Sequence, residues 1–143
     1  FLSGALTPTA MTDADGTTVS LSDAFDRIGE YWAPRLAAEP NGQHVKLAKL
    51  RGAFEWRHHA GADELFLVVA GALDIELRET PDVHLEANEF HVVPAGVEHR
   101  PAVPADTGVG PGGDAAHVLL FEPAGTLNTG ESESERTREV EEL

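Results

Sequence analysis

The chain contains no cysteine, which excludes disulfide bonds, thiolate metal sites and a thiol nucleophile. Basic residues are scarce. Ten Lys and Arg stand against 25 Asp and Glu in 143 residues, a formal net charge of −15. Nucleic acid, whose phosphates need a basic face, is excluded as a partner on this balance, and so is an anionic membrane surface. Long apolar runs are also missing: none approaches the roughly 18 residues that a membrane span requires. Lysine is rarer still, with only Lys46 and Lys49 against eight Arg. A surface rich in carboxylates and poor in lysine suits concentrated salt, where screening relieves self-repulsion. A GC-rich coding bias with an acidic tail leaves the same trace.

The one methionine is Met11, and the chain opens at Phe1. Phe1 to Ala10 lacks a charged start followed by an apolar stretch, so it reads as a remnant of expression or processing and not as a signal peptide. The cytoplasm is the expected compartment. The length suits one domain with an adequate core. We expect a loose segment over 1–18, a folded domain over 19–130 and an acidic tail over 131–143. That tail, ESESERTREVEEL, is disordered or a solvated helix held by Glu–Arg pairs.

Hydrophobic spacing supplies the elements. Leu21, Phe25, Ile28 and Trp32 recur at helical intervals, so a helix capped by Ser20 or Ser22 should run to about Trp32, before Pro34. Short strands follow: Val45 to Arg51, Phe54 to His59 past a bend at Gly52, Glu64 to Ala70, Leu73 to Leu77, Val83 to Leu85, Phe90 to Val93, and Ala116 to Glu122. ELFLVVA, apolar at almost every position, predicts a strand buried on both faces. Pro104 to Asp114 is a Gly/Pro-rich loop, expected to move. Many short strands with turn signals between them indicate an all-β barrel or double-sheet jelly roll. Phe54, Trp56, Phe66, Phe90 and Phe121 are its expected core aromatics.

The informative stretch is GAFEWRHHAGADELFLVVAG, Gly52 to Gly71. Within it, His59 is followed by Glu64 and Gly71. Later come Asn88, Pro94, Gly96 and His99. These two blocks, 16 residues apart, resemble the paired motifs of the cupin superfamily. The flanks YWAPR, VKLAKLRGAF, PAGVEHRP and LLFEPAGTLNTG are similar to small single-domain cupins. The resemblance implies a jelly roll (a double-stranded β-helix barrel) with a short N-terminal helix, and a homodimer paired through a sheet edge. It also implies a divalent transition metal held by His59, Glu64 and His99. Two imidazoles and a carboxylate with open positions suit Fe, Mn, Ni, Co or Zn.

The sequence departs from the family at one ligand. Arg57 stands where the first His of the motif belongs, and a guanidinium has no lone pair for a metal. Asn88 replaces the motif's glycine. In a strand, residues two apart share a face, so Glu55, Arg57 and His59 should point together into the barrel. A buried Arg needs a partner, which suggests a Glu55–Arg57 ion pair at the pocket. His58 should point outward unless a bulge swings it in. His91 and His117 are expected to be satisfied or surface residues, His44 and His84 surface residues.

Three functions remain open. In the first, the metal sits on His59, Glu64 and His99, and Glu64 and Arg57 act on a small polar or anionic metabolite, bound by Arg57 and Glu55. Family breadth then allows oxygenation, isomerisation, decarboxylation or lyase chemistry. In the second, the pocket is metal-free; Glu64 or Glu55, raised in pKa by burial, moves protons with His99. In the third, the barrel is a non-catalytic small-ligand-binding module. No phosphate loop, nucleophile elbow or H-E-x-x-H motif competes with these.

Overall fold

A computed structural model describes residues 16–125 and 141–143. Ser20 caps a single helical turn and a half, α1 (Leu21–Asp26), its side chain accepting from the Asp23 amide. The helix is shorter than its apolar spacing predicts. It ends at Arg27, and Trp32 lies beyond it in a left-handed conformation, φ 59°. Ile28 still reaches the apolar cluster of Phe25 and Leu47, so the stripe is real although the helix stops early.

The strands are β1 (Arg35–Ala38), β2 (Gln43–Arg51), β3 (Glu64–Ala70), β4 (Ala72–Leu77), β5 (Val83–Glu86), β6 (Phe90–Val93), β7 (His99–Ala102), β8 (Ala115–Pro123) and β9 (Glu141–Glu142). They form a six-stranded sheet in the order β6-β3-β8-β2-β1-β9 and a three-stranded sheet in the order β5-β4-β7. The ladders are antiparallel except that β9 runs parallel to β1, where Arg35 meets Glu141 in an ion pair of 2.7 Å. The last three residues of the expected solvated tail therefore lie along the barrel; 131–140, like 1–15, are outside the described residues. No helix among the described residues is long and apolar enough to cross a membrane.

Alternation decides what fills the barrel. Ala48 and Leu50 of β2, Phe66 and Val68 of β3 and Val118 and Leu120 of β8 face inward, against Leu73 and Ile75 of the smaller sheet. β3 is not buried on both faces. Its inward residues Glu64, Phe66 and Val68 are buried, while Leu65 and Leu67 are half-exposed on the outside of the sheet. α1 covers only part of that outer face, where Phe25 stacks on His117 at 4.6 Å. Phe90 is 62% exposed and Val92 40%, so Phe90 is not a core residue; Phe121 and Trp56 are half-buried.

The stretch 53–59 is not a regular strand. Its backbone meets β7 through isolated bridges, Ala53 with Ala102 and Arg57 with His99. Four steps on one side face three on the other, so one extra residue bulges between them. The bulge shifts the phase of the side chains. Phe54, Arg57 and His59 turn inward and are buried, while Glu55, Trp56 and His58 are half-buried.

Candidate metal centre

The same alternation that gives the barrel an apolar floor gives it a polar end. Glu64 opens β3, Glu122 nears the end of β8, and His44 and Lys46 begin β2. All four are buried. His44 lies opposite Glu122 in the β2–β8 register, and Leu65 lies opposite Phe121 in the β3–β8 register. One row across three strands therefore carries Glu64, Glu122 and His44. Above it the 53–59 stretch and β7 bring in Arg57, His59 and His99, also buried.

Backbone bonds fix these last three. Arg57 and His99 exchange both amide–carbonyl bonds, at 2.9 and 2.8 Å, and the Gly96 amide donates to the His59 carbonyl at 2.7 Å. The Pro94-Ala95-Gly96 turn thus places His59 and His99 together. Asn88 explains its own substitution for glycine: its φ is 72°, a left-handed conformation that Asn tolerates better than most residues.

Glu64 is the centre of the cluster. Its Oε1 lies 3.2 Å from His59 Nε2 and 3.1 Å from His99 Nε2. Arg57 Nη2 donates to both Glu64 oxygens at 3.2 Å, and Arg57 Nε lies 3.4 Å from His99 Nε2. One ligand atom each from His59, Glu64 and His99 lies within 4.8 Å of the others. The structure thus brings together all three expected metal ligands and places Arg57 among them. Arg57 forms an ion pair with Glu64 at 3.2 Å, and Glu55, half-buried, lies two residues before it. The bulge lies before Arg57, so it leaves His58 half-buried on the outward side.

Electrostatics divide the carboxyls. Burial alone would raise Glu64, but the Arg57 charge and hydrogen bonds from His59 and His99 hold it well below the usual carboxylate range. Glu64 is therefore not the raised acid that a metal-free mechanism asks for. That group is Glu122, pushed up to about 8 by burial and by the adjacent Glu64 carboxylate, against the pull of Lys46. Lys46 Nζ donates to Glu122 Oε2 at 2.7 Å. Glu122 Oε1 and His44 Nδ1 have no hydrogen-bond partner among the described residues. Neither Glu122 nor Lys46 is an expected site residue, and His44 is not on the surface. The signal was in AHVLLFE and HVKLAKL, where every second residue traces a lumen-facing row that ends in an ionisable group.

The donor chemistry fits a transition metal. The Val97 carbonyl lies 2.9 Å from His99 Nδ1, so with a metal bound it would hold the ring proton on Nδ1 and free Nε2, the nitrogen that faces Glu64, to ligate.

Two imidazoles and a carboxylate converge in the lumen of a two-sheet β barrel, a candidate metal centre. The cupin domain family matches residues 43–109. A cupin-2 domain containing protein of Shewanella frigidimarina NCIMB 400 is 34% identical, covering 73% of this chain and 93% of its own, with a TM-score of 0.64. Protein NMB1881 of Neisseria meningitidis is 25% identical over 75% of this chain and 99% of its own, with a TM-score of 0.62. The uncharacterized protein YdbB of Bacillus subtilis (strain 168) is 38% identical over 63 residues, 44% of this chain. The match spans 56% of that curated relative's length. The chain belongs to the cupin superfamily, as a small cupin-2 domain protein.

Proposed function

We propose that this cupin binds a divalent transition metal through His59, Glu64 and His99 and receives a small polar or anionic metabolite, whose negative group Arg57 meets. The observation that carries this reading is the convergence of three buried donors within 4.8 Å. Fe, Mn, Ni, Co and Zn all suit the donor set. Bound there, the metal would supply a Lewis acid among buried side chains. The protein's own part is to orient the ligand: Arg57 offers a planar, permanently charged donor fork. Reaction type, whether oxygenase, isomerase or lyase, is left to the ligand's own chemistry. Elemental analysis of the purified protein tests the reading. We expect about one metal per chain, lost in His59→Ala or His99→Ala; a metal-free protein whose stability ignores chelator would end it.

One observation favours a second reading, a metal-free acid–base pocket. Glu122, raised to about 8 beside Glu64, is a proton carrier suited to neutral pH. A pH–rate profile that moves in Glu122→Gln without any metal present supports it.

A homodimer completes the proposal. Edge strand β6 presents Phe90 and Val92, beside Leu65 and Phe121, around a surface hollow also lined by Ala95 and Pro123. The outward residues of β6, β3 and β8 include no acid, and the carboxylate that does line the hollow, Asp63, accepts from the Ala95 amide at 2.8 Å. Such a mostly apolar edge, in a chain of net charge −15, suits a second copy of the same chain.

A further inference from the structure

Two exposed turns carry His59, Glu64 and His99. Residues 60–63 run from His59 to Glu64, and the Pro94-Ala95-Gly96 turn leads from β6 towards His99. Ala60, Gly61, Asp63, Pro94, Ala95 and Gly96 are all exposed. Two hydrogen bonds stitch the turns together: the Ala95 amide donates to Asp63 Oδ1 at 2.8 Å, and the Gly96 amide to the His59 carbonyl at 2.7 Å. Small side chains and exposed residues give this joint little buried packing, so it belongs to the part of a fold that opens first.

The same joint borders the hollow beside edge strand β6. That hollow, of about 650 Å³, is lined by Gly61, Ala62, Asp63 and Ala95 together with Leu65 and Val92. Val92 pairs with Leu65, and Val93 with Glu64, so the exposed edge lies one step in register from a buried ligand residue. A second chain of charge −15 approaches closely only where the surface carries little charge. Here Phe90 and Val92 are 62% and 40% exposed. A second copy seated on this edge covers both turns from outside, and a metal on His59, Glu64 and His99 ties them from inside. Either event fixes the joint that the other needs fixed, which lowers the ordering cost left to the second.

We infer that metal and a second copy of the chain bind with positive coupling, transmitted through the 60–63 and 94–96 turns. The inference rests on the metal reading and on the homodimer proposed above. Coupling of this kind is reciprocal. With one metal on each protomer, metal tightens the dimer by the square of the factor by which dimerisation tightens one site.

The test is sedimentation equilibrium of the chelator-treated full chain at fixed ionic strength, alone, with Co²⁺ and with Mg²⁺, beside Co²⁺ titrations of wild type and Phe90→Glu. Mg²⁺ meets surface carboxylates as Co²⁺ does but has little affinity for imidazole. Co²⁺ should tighten the dimer by about tenfold or more, and the monomeric variant should bind Co²⁺ about threefold or more weakly than the wild-type dimer. Mg²⁺ should leave the dimer nearly unchanged. Co²⁺ should also slow hydrogen exchange at the Ala95 and Gly96 amides of the variant. Equal Co²⁺ affinity in dimer and monomer, or a dimer that Mg²⁺ tightens as much as Co²⁺, overturns the coupling while the metal site and the dimer stand. Unchanged exchange at both amides overturns the route through the turns. No Co²⁺ binding removes the metal reading, and a monomer at every concentration, with and without metal, removes the dimer; either takes the inference with it. Wild-type sedimentation decides the matter where the variant does not fold or stays dimeric.

Discussion

Single side chains decide what the lumen can hold. Arg57 contributes the charge that holds the carboxyl of the buried Glu64 well below the usual range, so the pair behaves as one unit. Restoring an imidazole there, Arg57→His, should raise metal affinity by about tenfold or more, since a fourth ligand replaces a repelling charge. In the metal-free state the same variant should lose about 3–5 kcal/mol, because Glu64 is left without its counter-ion. Calorimetric titration and urea melts of the chelator-treated protein measure the two effects. Glu122 carries a different prediction. Its folded pKa of about 8 lies above the ordinary 4.5, so the folded chain keeps a proton that the unfolded chain releases between those values. Its contribution to stability therefore declines as pH rises through that window. Glu122→Gln holds no titrating proton. Melting curves at about pH 5 and pH 8 should show the variant gaining on wild type at the higher pH. A constant difference between the two proteins would mean that Glu122 titrates normally.

At the scale of elements, turns and edges take over. Gly71 sits between β3 and β4 with φ 87°, and a Cβ there would stand 2.6 Å from the Ala115 carbonyl oxygen. Gly71→Ala should cost about 1–3 kcal/mol, checked by thermal melting, because the neighbour is backbone and cannot swing aside. Edge strand β6 makes the companion prediction. Phe90→Glu should convert a dimer into a monomer by light scattering without lowering the intrinsic fold, since Phe90 buries little within its own chain.

These elements also show what the sequence could and could not tell. Strands with clean alternation, such as β4 and β8, were legible because one face is core. β1 and β7 were not: each is four residues long, β1 has no β-branched residue, and β7 carries Pro101. The face of 53–59 was half legible. Arg57 and His59 do share the lumen, two residues apart, but the bulge before them was not legible, because it depends on the partner strand's count and leaves no local trace. His59, Glu64 and His99 could be found from motif spacing alone. Glu122 could not, since an acid at a strand end reads as solvent-facing until its row is traced inward.

The whole molecule carries an acid excess that its fold must tolerate. The formal charge of −15 repels itself, and a Debye length of about 3 Å at 1 M salt removes most of that repulsion. We expect the melting temperature to climb between dilute and roughly molar KCl, as for a protein suited to concentrated salt. A midpoint indifferent to neutral salt would leave the composition as coding bias. The buried Arg57–Glu64 and Lys46–Glu122 pairs should respond little, because the lumen shields them from mobile ions.

The bulge ahead of Arg57 also gives the chain slack. Removing one residue at position 55 or 56 would equalise the two sides and zip the segment onto β7, with Phe54 and Arg57 still turned to the lumen. A length change between 57 and 59 has no such reserve and would throw His59 outward. Insertions and deletions in relatives should therefore gather on one side of Arg57 and be absent from the other.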